Sequence, residues 1–211
     1  MSLIFDWIFS QYKDIPTYLI VLEMIGVLFG FLSVWYSKQE NIWVFPTGII
    51  STGIFVYILW VFGLLGDMMI NAYYFVMSIY GWYVWSTKID DVPLPISRMT
   101  KKEKEWALGL FVGTLLFVVV VYLVFEKFDA WTAYVDTLTT ALFFVGMWLM
   151  ARKKIENWIY WIIADIISIP LYFYKGLIFT GIQYLIFTII AFYGYSAWTK
   201  SLNKNLHPSL K

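Results

Sequence analysis

Residues 158–174 read WIYWIIADIISIPLYFY. At about 1.5 Å of rise per residue, a helix of this length crosses most of the hydrocarbon layer of a bilayer. One ionisable group, Asp165, stands in its middle. A carboxylate near the centre of a membrane helix costs roughly 2.5–3.5 kcal/mol on insertion scales. Such a group belongs against a polar cavity, a ligand or a partner charge rather than against lipid. Trp158, Trp161, Asp165, Ser168 and Tyr172 follow one another at steps of three and four, so one helix face carries them all. Two indoles and an anion on one face suit an aromatic or cationic molecule.

The rest of the chain agrees with a membrane setting. Of its 211 residues 61% are hydrophobic and only 14% charged, with a mean hydropathy of +0.72, which excludes an ordinary soluble domain. Aromatic residues reach 22%, as suits interfacial belts and ring stacking. There is no cysteine, so disulfides and thiolate metal sites are excluded, and the single histidine, His207, lies in a polar tail. A net charge of +1 with no basic face gives no reason to expect nucleic acid. Met1 to Asp14 mixes apolar and charged residues, which fits a short helix on the membrane surface, and no cleavable signal peptide is expected.

Seven apolar segments are expected to span: Thr17–Tyr36, Ile42–Phe62, Leu64–Trp85, Ala107–Phe125, Thr132–Ala151, Trp158–Tyr174 and Leu177–Trp198. Short links after the second and sixth make hairpins. The one long polar link, Ser86–Glu105, reads as a solvated connector. The loops are charged unequally. Lys13, Lys127 and Lys175 fall on one side, and the other 12 of the 15 basic residues fall on the opposite side. The positive-inside rule then predicts the N-terminus outside and the C-terminus in the cytoplasm.

The third and seventh spans resemble each other. Displaced by 113 positions, Gly63 meets Gly176, Leu64 meets Leu177, Tyr80-Gly81 meets Tyr193-Gly194, and Trp85 meets Trp198. Upstream, Glu40-Asn41 resembles Glu156-Asn157 and Ile49-Ile50-Ser51 resembles Ile166-Ile167-Ser168 if small gaps are allowed. The chain is therefore read as all-α, with seven transmembrane helices in two parallel three-helix repeats joined by a linker helix. Residues 1–16 form an interfacial segment, 17–86 the first repeat and 87–131 a loop with the linker helix. Residues 132–199 form the second repeat and 200–211 a cytoplasmic tail. Three helices reverse the chain and a fourth restores it, so the repeats share an axis along the membrane normal. Leu108 to Phe125, almost wholly aliphatic, suits a lipid-facing linker. Duplicated halves commonly bind substrate where they meet.

On that basis the candidate binding residues are Trp158, Trp161, Asp165, Asn71, Tyr74, Gln183 and Tyr184. No lysine or arginine lies deep in any span, so a salt bridge to Asp165 within the membrane is not expected. Trp158, close behind Arg152-Lys153-Lys154, has two readings, an aromatic belt or a ligand contact. Trp161 lies nearly one turn deeper, and its face attracts cations. On the third span Asp67, Asn71, Tyr74 and Ser78 form a polar stripe; Asp67 has a cap or dipole reading, and Asn71 is the stronger candidate. Thr180 has a cap or contact reading, Glu23 a site or interhelical bond, and Asp136 an interfacial one. Pro46 and Pro170 are expected to kink their helices.

The segment WIYWIIADIISIPLYFYKG, with LYFYKGL inside its end and YGWYVW earlier, resembles the PnuC-type bacterial vitamin transporters over nearly the whole chain. Their W-x-x-W-x-x-x-[ND] pattern falls on Trp158, Trp161 and Asp165. The resemblance implies a facilitator without an ATPase or cofactor, often a homotrimer, whose substrate is trapped by a cytoplasmic kinase. It implies a bacterial inner-membrane location and a vitamin substrate. Nicotinamide riboside and thiamine carry flat cationic rings and rank first and second; riboflavin, with a neutral ring, ranks lower. Two other classes stand against this. An intramembrane enzyme would need an acid–base constellation, yet the spans hold no histidine, cysteine or paired carboxylates, and Ser168 has no evident base. A substrate-binding subunit of an ATP-driven importer would not need duplicated halves, and no Walker motif is present. Proton coupling through Asp165 or Glu23 stays open.

Overall fold

The computed structural model of the chain describes residues 15–63, 65–89, 92–126, 131–174 and 178–206. Among these, seven long helices follow in order: α1 (Thr17–Lys38), α2 (Val44–Val61), α3 (Leu65–Ser86), α4 (Lys101–Val124), α5 (Trp131–Ala151), α6 (Asn157–Tyr174) and α7 (Ile178–Leu206). A two-residue strand pair, β1 (Lys88–Ile89) and β2 (Val92–Pro93), folds back antiparallel in the α3–α4 link, with Lys88 opposite Pro93. Among the described residues, α1, α2, α4 and α5 are by length and composition alone apolar enough to cross a membrane. The interfacial segment expected at Met1 to Asp14, the tail from His207 and the side chain of Thr180 lie outside the described residues.

Helices pack in the order α1–α2–α3 and α5–α6–α7, and the two trios meet through α1 with α7 and α3 with α5. Helix α4 packs on α5. Glu103, Ala107, Thr114 and Val118 make its buried stripe at helical spacing, while Leu108, Leu116, Val120 and Leu123 are exposed. That is the profile of a linker that serves lipid on one side and a single neighbour on the other.

The two trios share local geometry. In the α1–α2 turn, the N–H groups of Gln39 and Asn41 both bond the Tyr36 carbonyl (3.1 and 3.0 Å) and that of Glu40 bonds Ser37 (3.1 Å). In the α5–α6 turn, Arg152 and Lys154 bond Leu149 (3.2 and 2.9 Å) and Lys153 bonds Met150 (2.9 Å). Glu40 (φ 55°) and Lys153 (φ 52°) take the same left-handed position, 113 residues apart. The gapped pairing of Glu40-Asn41 with Glu156-Asn157 is thereby corrected. One displacement runs through the turn without a gap, because backbone conformation rather than side-chain identity is what the two turns have in common.

Buried indoles cross between the trios reciprocally. Trp85 of α3 donates its Nε1–H to the Met150 carbonyl of α5 (3.3 Å), and Trp198 of α7 donates to the Ser37 carbonyl of α1 (3.0 Å). Donors and acceptors are each 113 residues apart. The two rings lie 6.1 Å from each other. Glycine makes room beside them. A Cβ on Gly81 would strike the Phe45 ring, and one on Gly194 the Trp158 ring, again at matching positions. Small residues that let helices approach, with polar bonds between them, are what hold bundles together in lipid.

Two expectations change. Pro46 sits in the first turn of α2, where the missing N–H forfeits no helical bond, so it starts the helix rather than kinking it; Pro170 lies inside α6. The α3–α4 link is not merely a solvated connector. Ile96 is buried; the Ser97 backbone N–H bonds the Lys153 carbonyl (3.1 Å), and the Ile155 N–H returns to the Ser97 carbonyl (3.0 Å). The Glu156 carboxylate accepts from the Met99 N–H (3.1 Å). Thr100 and Glu103 form a capping box at the start of α4, and Glu103 also reaches Arg152 and Lys154 at 3.1 and 3.0 Å. Proline-bearing and mixed in charge, this link resembles solvated loops in composition alone; its contacts are made across the chain.

Two outcomes follow from these contacts. Trp85→Phe and Trp198→Phe should each remove one buried hydrogen bond and lower stability by about 1–2 kcal/mol, seen as similar drops in unfolding midpoint in detergent. A variant that melts like the wild type would show its bond to be idle. Glu103→Gln should leave the bundle intact but speed proteolytic cleavage within residues 94–100, and unchanged cleavage would count against the clamp.

Candidate functional site

The α6 face singled out by its spacing points inward. Trp158, Asp165 and Ser168 are buried and Trp161 is half-buried, while Ile159, Ile163 and Ile166 on the opposite side are exposed. Asp165 is only 2% exposed and makes no ion pair among the described residues. It lines a partly open cavity of about 160 Å³ between α1, α2, α3, α5, α6 and α7, with no residue from α4.

Of the candidate residues, Trp158, Trp161, Asp165 and Tyr74 come together around this cavity. Asn71, Gln183 and Tyr184 are not among its lining residues. The Asn71 amide is turned along its own helix and donates to the Asp67 carbonyl (3.0 Å). Tyr184 belongs to an aromatic wall behind the cavity. Its ring lies 5.1 Å from Tyr172 and 5.8 Å from Phe143, and Phe143 in turn lies 5.4 Å from Trp161. Phe143 thus buttresses the indole that faces the cavity. Trp158 is no interfacial belt residue. It is 2% exposed and packs edge-on against Trp198 at 5.5 Å.

The wall opposite α6 was not anticipated. It consists of Gly30, Ser33, Val34 and Ser37 on α1 and Val44, Gly48, Ser51 and Thr52 on α2. Two of their hydroxyls tie α1 to α2, with Ser33 donating to the Val44 carbonyl (2.8 Å) and Ser51 to Gly26 (2.7 Å), while Thr52 donates within its own helix to Gly48 (2.7 Å). The signal was available in the steps of three and four that put Gly30, Ser33 and Ser37 on one face.

Twelve of the 17 cavity residues fall into pairs separated by the same 113 positions: Val34 with Met147, Ser37 with Met150, Gly48 with Trp161, Thr52 with Asp165, Tyr74 with Phe187 and Ser78 with Ala191. The cavity therefore surrounds the line about which the trios correspond, yet its walls differ. One half supplies glycine and hydroxyls; the other supplies the indole and the carboxylate. At the end that carries the basic turn, Lys153 is buried with its Nζ 4.4 Å from the Trp85 ring centre. Burial pushes its ammonium below the usual lysine range, and Glu40 opposes that.

A chamber between two corresponding trios, walled by an unpaired carboxylate and indoles, defines a membrane transporter for a small molecule rather than a catalytic centre. Residues 20–200 match the nicotinamide mononucleotide transporter family, and the chain belongs to it. It is 27% identical to the nicotinamide riboside transporter PnuC of Escherichia coli K12, over 85% of each chain. It is 23% identical to the riboflavin/roseoflavin transporter RibM of Streptomyces davaonensis, over 98% of each. A crystal structure of a vitamin B3 transporter PnuC has the same fold, with a TM-score of 0.65 at 20% identity, covering 93% of this chain and 86% of that one.

A single-ring cation such as 1-methylnicotinamide tests the cavity's chemistry. Trp161→Ala should weaken its binding about thirtyfold and Asp165→Asn at least tenfold, as lost cation–π and charge contacts require. Titration calorimetry on the purified protein in detergent measures both, and wild-type affinity in either variant would remove that residue from the site.

Proposed function

We propose that this chain is a facilitator that lets nicotinamide riboside equilibrate across the bacterial cytoplasmic membrane. One observation carries the reading: a buried carboxylate with no cation beside it among the described residues lines a chamber that the Trp161 indole also lines. A pyridinium ring on a sugar brings the missing positive charge, a flat face for the indole and hydroxyls for the opposite wall. Size points the same way. The chamber is about 160 Å³, and a cavity of about 150 Å³ holds one benzene ring. A single ring with a sugar is closer to this scale than a three-ring flavin.

Riboflavin is the second reading, favoured by the near full-length match to RibM. The uncharged flavin ring leaves the carboxylate without a counter-charge, which ranks it lower. Thiamine offers a flat cation but no ribose. We also take residues 17–86 and 132–199 as parallel repeats joined by residues 87–131, supported by the shared turn geometry and the reciprocal indole bonds. The 12 to 3 division of basic residues supports a cytoplasmic C-terminus. Trimer formation and trapping by a cytoplasmic kinase complete the reading.

Reconstituted in liposomes, the protein should let labelled nicotinamide riboside reach equal concentrations inside and out with neither ATP nor an ion gradient. Accumulation above the outside concentration would overturn the facilitator reading. Preferential flux of riboflavin or thiamine would overturn the substrate.

A further inference from the structure

The Trp161 indole, which lines the cavity, rests against a glycine that does not. Gly146 on α5 is buried and is not among the lining residues. A Cβ built on it would stand 3.3 Å from both Cε2 and Nε1 of the indole and 3.4 Å from the Tyr160 Cβ. Those separations are tighter than ordinary contact, so the neighbours would have to give by a few tenths of an ångström. Three residues earlier on the same face of α5, Phe143 lies 5.4 Å from the indole, centre to centre. Phe143 does not line the cavity either, and the Tyr184 ring stacks on it at 5.8 Å. Phe143 and Gly146 thus form a seat on α5, and the indole stands between that seat and the chamber.

The first trio makes the same contact with its sizes exchanged. Ser33 corresponds to Gly146 and Gly48 to Trp161, each 113 positions apart. There the glycine is on the second helix, and a Cβ on it would come within 3.1 Å of the Ser33 hydroxyl oxygen. At both contacts one partner lacks a side chain. In the second trio the room so left is taken by an indole, on the helix that also carries Asp165. An indole is a rigid plate turning on two bonds, so whatever meets its edge governs its pose. Glycine is less favourable than alanine inside a helix, and the indole supplies the packing reason for it at position 146.

We propose that Gly146 is a positioning residue for ligand binding: it sets the pose of the Trp161 indole against the chamber. It touches no ligand itself. The inference rests on the reading of this cavity as the substrate chamber and deepens it, because cation–π attraction needs the cation over the ring face. A side chain at 146 displaces or tilts that face and narrows the gap open to a flat ring, more so as the side chain grows.

Titration calorimetry of 1-methylnicotinamide with the purified full-length protein tests this. Gly146→Ala should weaken binding about threefold and Gly146→Val about tenfold, a part of what a whole cation–π contact contributes. The same Gly146→Ala change in a Trp161→Phe protein should cost nothing further, since the smaller ring leaves the room that a Cβ takes. A merely structural role would weaken binding in both backgrounds. Equal loss in both, or wild-type affinity in both glycine variants, overturns the positioning role and leaves the chamber reading standing. Should the valine variant fail to fold, the alanine variant and its Trp161→Phe counterpart decide alone. A wild-type protein that does not bind the cation, or a Trp161→Ala variant that binds it unchanged, overturns the chamber reading and the positioning role together.

Discussion

Two indole N–H groups that reach across the bundle hold the structure in register. Apolar side chains gain little by leaving lipid for one another, so helices in a membrane associate through close packing and polar bonds. Trp85 and Trp198 supply the bonds, to Met150 and Ser37, and each crosses from one trio to the other. Gly81 and Gly194 supply the closeness by admitting Phe45 and Trp158. The carbonyls that accept these bonds belong to residues lining the cavity. The same contacts therefore join the halves and set the floor of the chamber between them.

Correspondence between the trios is in the backbone, and difference is in the side chains. At equivalent positions one trio carries Gly48 and Thr52 where the other carries Trp161 and Asp165. Two bulky indoles meeting on the axis would fill the chamber, and two carboxylates there would repel. At Gly48 even a Cβ would press on the Ser33 and Ser78 hydroxyls, and threonine at position 52 leaves one carboxyl group in the chamber rather than two. A chamber built this way suits a molecule that is itself unlike at its two ends.

The span that decides the fold was legible because its period and its misplaced charge both have strong physical meaning. A helix face carrying Trp158, Trp161 and Asp165 needs no tertiary information to be recognised, and the structure turns that face inward. The hydroxyl wall was harder to see. Gly30, Ser33, Gly48 and Ser51 look like ordinary helix-packing residues, and several of them do pack helices. Asn71 was misleading for a related reason: a polar residue within a span need not face a ligand when its own helix offers a carbonyl, as Asp67 does. Sequence period places a side chain on a face, but it does not say whether the polar atom is already used.

The placement of Asp165 also bears on how tightly such a site binds. A carboxylate buried with no cation beside it among the described residues is costly to keep charged, so on the proposed reading a cationic ligand would gain by pairing with it. The water that cation gives up works against the gain. The nearer the two come to balance, the more readily a ligand that enters the chamber can leave it.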